Sequence, residues 1–124
     1  MNDSILISVK KLLGIDELDK HFDPDIIMHI NSALMILTQL GLGKSNGFFI
    51  EDETKTWNDF LNGDFISKFE GAKTYVYMKV KLVFDPPPSS ATIESMTRMV
   101  NEFEWRLNAA AEAIFPNNSD TDVL

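Results

Sequence analysis

The stretch FISKFEGAKTYVYMKVKLVF, residues 65–84, decides the fold of this chain of 124 residues. Its apolar side chains occur on nearly every side of one helix, the pattern of a helix buried between others. Asp85 and the prolines at 86–88 end it, because proline cannot continue the helical hydrogen bonds. We therefore expect a mainly α fold, a small bundle of about four to five helices packed around this segment.

Two helices are predicted before this stretch. The first covers residues 2–13 and stops at Gly14, and the second covers residues 24–40 and stops at Gly41. Asp23 is the predicted N-cap of the second helix, with proline at its first helical position. Their apolar faces are formed by Ile5, Leu6, Val9, Leu12 and Leu13, and by Ile26, Ile27, Ile30, Ala33, Leu34, Leu37 and Leu40.

Between these helices and the central stretch, the pattern changes to that of a loop. Glycines and acidic residues predict a protruding loop at 41–55, with a short extended segment at 48–50. Thr56 followed by Asp59 resembles a capping box, which predicts a short helix over residues 57–61.

A long final helix is predicted over residues 90–115, after an N-cap at Ser89 or Ser90. It would be roughly 39 Å long, more than the core of so small a domain needs. We expect one helical domain at residues 1–115 and a disordered tail at 116–124. Its coiled-coil-like stripe contains Ile93, Met96, Val100, Phe103, Leu107, Ala110 and Ile114.

Composition excludes several classes of protein. The net charge of −8, from 19 acidic and 11 basic residues, repels a nucleic-acid backbone. The absence of cysteine excludes disulfides and thiolate sites. No long apolar run or basic leader occurs, so we expect a soluble intracellular product with no membrane partner.

The sequence offers little chemistry for catalysis. His21 and His29 are the only candidate neutral-pH bases, and neither lies in a recognisable catalytic motif. The acidic cluster within residues 16–25 lacks the glycine and terminal glutamate of a calcium loop, so a solvated turn is the simpler interpretation. We expect no catalytic residue, no cofactor and no metal site, and hence no enzyme.

Exposed charges and one tryptophan suggest interaction surfaces instead. Trp105 lies outside the final stripe, so its indole either faces a partner protein or packs on a second face of its own domain. Lysines of the central helix and the acidic loop offer opposite charges to neighbouring copies, although solvated lysines are the simpler interpretation. The candidate interface residues are Lys68, Lys73, Lys79, Lys81, Glu51, Asp52, Glu53, Trp105 and Arg106.

Five groups of residues, in this order, resemble the head-tail connector (adaptor) proteins of long-tailed phages and prophages. The similarity spans residues 5–112. The groups are SVKKLLGI at 8–15, FDPDIIMHIN at 22–31, TWNDFL at 56–61, KTYVYMKV at 73–80 with FDPP at 84–87, and EWRLN at 104–108.

This resemblance implies a helical subunit that assembles into a closed ring of about a dozen copies beneath the portal protein. Such a ring extends the DNA channel toward the tail, and DNA passes without specific binding. The resemblance implies location at the head-tail junction of the virion, after assembly in the host cytoplasm. By position, residues 43–55 and 108–124 would contact the portal and the next, tail-ward completion protein.

The three prolines at 86–88 and the acidic tail depart from the family pattern, which leaves the pose of the last helix open. Two other functions stay open from the residues alone. One is a different head or tail completion protein, and the other is a free-standing helical adaptor that binds one partner.

Overall fold

The computed structural model describes residues 3–43, 47–61 and 71–114, with side chains described through Ala109. Within these ranges the chain is mainly α-helical and has no strand, only an isolated antiparallel bridge between Ser4 and Thr56. The predicted fold class is confirmed. The helices are α1 (Ile5–Leu13), α2 (Asp23–Gln39), α3 (Trp57–Leu61), α4 (Gly71–Phe84) and α5 (Ser90–Ile114).

Helix α1 begins at Ile5, later than the predicted start at residue 2. The Ser4 hydroxyl caps it by accepting a hydrogen bond of 3.2 Å from the Ile7 N–H. Gly14 ends the helix with a φ of 81°, as predicted. Leu12, expected on the apolar face, is 48% exposed.

Helix α2 starts one residue earlier than predicted, and the expected N-cap role of Asp23 is wrong. Phe22 is the N-cap residue and makes no side-chain capping hydrogen bond. The Asp23 carboxylate turns instead to the Lys10 ammonium, 2.8 Å away. The Asp23 carboxylate therefore binds a cation outside the helix instead of accepting a capping hydrogen bond from the helix backbone.

Helix α3 has the predicted bounds, and the capping box is confirmed with aspartate in place of glutamate. The Thr56 N–H donates to Asp59 Oδ2 at 2.9 Å, and the Asp59 N–H donates to Thr56 Oγ1 at 3.2 Å. The buried Trp57 donates its indole N–H to Ser8 Oγ at 2.9 Å, which fastens α3 to α1.

The described part of the loop before α3 is anchored to α2. Asn31 accepts a hydrogen bond of 2.8 Å from the Ile50 N–H and donates one of 3.0 Å to the Ile50 carbonyl. Ile50 is consequently buried, although it lies in no strand. Gly43, with a φ of 68°, approaches Phe60 so closely that an added Cβ would lie 2.6 Å from the ring.

Helix α4 lies at the centre of the bundle, as predicted for its described part. It packs against α2, α5 and α1, whereas α2 and α5 hardly touch each other. The helix was predicted to begin at Asp64, and residues 64–70 lie outside the described residues. The order α2, α4, α5 therefore places two helices on opposite sides of a buried third. The buried residues of α4 are Ala72, Tyr75, Val76, Met78 and Val80.

Helix α5 packs on α4 along the predicted stripe. Val100 and Leu107 are buried, and Ile93, Met96 and Phe103 are partly buried. Tyr75 donates a hydrogen bond of 2.8 Å to Glu104 Oε2 across this contact. The side chains of Ala110 and Ile114, and the predicted disordered tail at 116–124, lie outside the described part.

Candidate interaction surfaces

Trp105, one of the predicted interface candidates, lies on the outer face of α5. Trp105 is 72% exposed and lies about 140–160° around the helix from the stripe that packs on α4. It therefore does not pack on a second face of its own domain. Arg106 next to it forms an exposed ion pair with Glu102. The role of Trp105 and Arg106 at an interface stays a prediction.

The candidate lysines do not form one basic flank. Lys73 lies 3.7 Å from Asp3, and Lys81 lies 2.9 Å from Asp85. Lys79 is half-buried and lies about 160° around α4 from Lys81. Lys68 is outside the described residues. The described lysines thus face different directions, and two of them already have acidic partners.

The acidic candidates Glu51, Asp52 and Glu53 are all exposed in the loop before α3. Asp52 accepts hydrogen bonds from the Thr54 hydroxyl at 2.6 Å and the Thr54 N–H at 2.9 Å. These bonds lower the pKa of the Asp52 carboxyl below its usual value. Phe49, 61% exposed, lies with Glu51 and Asp52 around an open cleft of about 470 Å³, whereas Glu53 lines a different cleft.

Lys10 joins α1 to the acidic connection and to α2, a role that was not predicted from the sequence. It is only 1% exposed, and its ammonium group lies close to three oxygen-bearing groups. These are the Asp19 carbonyl at 2.7 Å, the Asp23 carboxylate at 2.8 Å and the Glu17 carbonyl at 3.1 Å. The two carbonyls accept hydrogen bonds from the ammonium group, whereas the Asp23 carboxylate is its ion-pair partner. The available signal was its helical spacing from Leu6 and Leu13, on the apolar face of α1.

A second missed feature is the outer face of α2. Met28 and Met35 are each 56% exposed, and Ser32 lies exposed between them. This face is roughly opposite the buried residues Ile26 and Leu37. The signal was present in the sequence, because no Asp, Glu, Lys or Arg occurs from residue 26 to residue 43.

The two histidines both lie near Phe22 in the described structure. His21 is exposed, with its ring edge-on to Phe22 at 4.8 Å between centroids. His29 lines an open cleft with Phe22 and Phe84, whose rings are 5.5 Å apart. Within residues 3–43, 47–61 and 71–114, no three His, Asp or Glu residues are grouped so that they could hold a metal ion.

Exposed apolar side chains on α2 and α5 are candidate surfaces for binding other proteins. Residues 5–113 match the family described as phage connector protein, and the chain belongs to this family. The predicted resemblance is thereby confirmed.

Membership makes the protein a structural component of the virion that assembles with other virion proteins. No curated protein and no solved structure matched the chain. Among the described helices, none is long and apolar enough to cross a membrane.

Proposed function

We propose that this protein is the subunit of a head-tail connector ring that docks beneath the portal and extends the DNA channel toward the tail. The observation that carries the proposal is the family match, which begins at the first residue of α1 and ends one residue before the end of α5. The role is structural, and it requires no catalytic group.

The layering of the helices supports assembly into a ring. A closed ring of identical subunits needs a head-to-tail interface, in which each copy offers two different surfaces. Helices α2 and α5 lie on opposite sides of α4 and do not resemble each other in exposed residues. The subunit therefore has two distinct flanks of the kind that such a ring needs.

The charge of the chain supports a passage for DNA without specific binding. A net charge of −8 on each copy repels the phosphate backbone, so a dozen copies would form an acidic collar. Tight contacts between the wall and DNA would slow its movement, and phosphate contacts require basic residues. The acidic balance keeps such contacts few.

We assign the acidic loop to the portal or to the tail-ward completion protein. Lys73 and Lys81 already pair with Asp3 and Asp85, so they are poor partners for the acids of a neighbouring copy. The loop presents the exposed ring of Phe49 beside Glu51 and its acidic neighbours, a combination of anchor and charge that suits a separate protein. Residues 108–124, the other segment assigned to these partners, lie mostly beyond the described side chains.

The test is to purify the protein and examine it by negative-stain electron microscopy and sedimentation, alone and with the portal protein of the same phage. We expect rings with a central hole, either free or on the portal. A stable dimer that never closes and does not bind portal would contradict the proposal. Sedimentation with an unrelated ring-forming protein controls for non-specific association.

A further inference from the structure

The outer face of α2 has the composition of a binding surface. Met28 and Met35 lie two turns apart on it, about 10.5 Å along the axis, and more than half of each is exposed. Between them, the Ser32 hydroxyl donates to the Met28 carbonyl at 3.2 Å, so its proton already has an acceptor. From residue 26 onward this solvent-facing surface carries no Asp, Glu, Lys or Arg, which is unusual in a chain with 24% charged residues.

The outer face of α5 offers a matching group. Trp105 presents a large apolar ring that is 72% exposed, whereas Asn101, Glu102 and Asn108 beside it on the helix are polar. Trp anchors are the side chains most often found at the centres of protein interfaces, and adaptable Met side chains suit an aromatic ring. The two surfaces lie on opposite sides of α4, so they cannot meet within one copy.

The directions of the helices also agree with such a contact. Phe22 at the start of α2 lies against Phe84 at the end of α4, so these helices are antiparallel. Gly71 at the start of α4 faces Phe103 in the second half of α5, and a short connection joins them, so α4 and α5 are antiparallel as well. Helices α2 and α5 are therefore parallel within the subunit.

We propose that copies of this chain join head to tail by placing Trp105 of one copy between Met28 and Met35 of the next. The inference rests on the proposed ring and names the surfaces that close it. In a ring of about a dozen copies, neighbours differ by a rotation of roughly 30°, so α5 of one copy stays nearly parallel to α2 of the next.

The parallel arrangement also matches charges. Arg98 lies two turns before Trp105 on the same face of α5, and Asp25 lies two turns before Ser32 on the outer part of α2. Both are exposed, and neither forms an ion pair with another described residue. With Trp105 level with Ser32, Arg98 of one copy stands beside Asp25 of its neighbour. An antiparallel contact would instead place Arg98 beside the uncharged Gln39.

The first test measures the association of variants with one altered surface each, under the conditions that give wild-type rings. Trp105→Ala, and separately Met28→Asp with Met35→Asp, should each weaken association by about 30-fold or more. Met99→Ala is the matched control, because Met99 is 45% exposed on a different face of α5 and should leave association unchanged. Circular dichroism should show all variants folded, since the altered side chains are exposed.

The second test asks whether the Trp105 surface binds the α2 face of another copy and not a second copy of itself. Trp105→Asp keeps an intact α2 face, and the Met28→Asp/Met35→Asp variant keeps an intact Trp105. Mixed together, they should form a one-to-one dimer that grows no further, whereas each alone stays monomeric. Dimerisation of either variant alone would overturn the proposal.

The third test determines which residues of α5 in one copy lie opposite which residues of α2 in the next. The chain has no native cysteine, so every cross-link must join the introduced cysteines. A chain with Asp25→Cys and Arg98→Cys should be linked into a ladder of oligomers by a short bismaleimide. Gln39→Cys with Arg98→Cys, the antiparallel register, should not be linked. The opposite result would overturn the parallel contact.

The experiments distinguish failure of this interface from failure of the proposed connector function. Wild-type rings that persist in the Trp105 and Met28/Met35 variants would overturn this interface and leave the connector function standing. A wild-type chain that stays monomeric with and without portal would overturn both proposals.

Discussion

The Lys10 ammonium lies 2.8 Å from the Asp23 carboxylate, inside a site where only 1% of the lysine is exposed. This pair joins α1 to the first residue of α2, and the carbonyls of Glu17 and Asp19 hold the intervening connection to the same nitrogen. The acidic connection, interpreted from sequence as a solvated turn, is thus fastened at one point to the helix that precedes it.

Lys10→Met should lower the free energy of unfolding by about 3–5 kcal/mol, because it leaves a partly buried carboxylate and two carbonyls without their partner. Lys11→Met is the matched control: Lys11 is exposed on the next position of α1, and its loss should change stability by less than about 0.5 kcal/mol. Urea unfolding followed by circular dichroism measures both. Equal effects of the two substitutions would contradict the structural role of Lys10.

The surroundings of Tyr75 predict that the folded protein loses stability at alkaline pH. Burial, and the hydrogen bond that its hydroxyl donates to Glu104, raise the pKa of Tyr75 well above its usual value. A raised folded-state pKa means that the contribution to stability is fully present below the unfolded pKa, about 10, and is lost as pH rises above it.

Tyr75→Phe should therefore cost about 1 kcal/mol at neutral pH and should flatten the decline in stability above pH of about 10. Tyr77→Phe leaves Tyr75 in place and should keep the steeper decline. Urea midpoints measured between neutral and strongly alkaline pH provide the comparison. A Tyr75→Phe variant with the wild-type pH dependence would show that this hydroxyl does not carry it.

Alanine substitutions at two glycines distinguish the loss of stability caused by backbone strain from the loss caused by a steric clash. Gly14 and Gly43 both have positive φ, but an added Cβ meets nothing within 4 Å at Gly14 and lies 2.6 Å from Phe60 at Gly43. Gly14→Ala should cost about 1 kcal/mol, the strain alone. Gly43→Ala should cost a further ~1–3 kcal/mol, because the buried ring must move. Similar urea midpoints for the two variants would contradict the close packing of Gly43.

Asn31→Asp should free the loop before α3. The substitution replaces the amide that donates to the Ile50 carbonyl with a second acceptor, so we expect a loss of about 1–3 kcal/mol in local stability. Hydrogen exchange at the Ile50 amide should accelerate. The Thr54 amide, held by Asp52, is an internal control and should exchange at an unchanged rate. If the Ile50 amide stays protected in the variant, the anchor lies elsewhere.

Residue spacing predicted most of the helices because their apolar faces repeat regularly along the chain. The bounds of α3 and the start of α5 at Ser90 follow from local signals, a capping box and a serine after prolines, which depend only on nearby residues. The start of α2 could not be predicted from local signals in this way. Asp23 has the local features of an N-cap, but a lysine distant in sequence binds its carboxylate instead.

The exposed residues of the candidate interaction surfaces were also predicted unevenly, for a similar reason. The exposure of Trp105 could be predicted because this large aromatic residue lies outside a regular apolar stripe, which is visible in the sequence. The lysines of α4 were grouped by sequence proximity, whereas the structure pairs Lys73 and Lys81 with separate acids. The α2 face was missed because its signal is an absence of charge, which is noticed only once the helix is known to be exposed.

The central position of α4 sets the diameter of the proposed ring. Packed helices are about 8–10 Å apart, and α2, α4 and α5 add three such spacings per subunit when α5 contacts the next α2. A dozen copies then have a circumference of roughly 290–360 Å and a diameter of roughly 90–115 Å at the helix layer. The number of subunits thereby fixes the width of the ring, and each subunit gained or lost changes the diameter by about 8–10 Å.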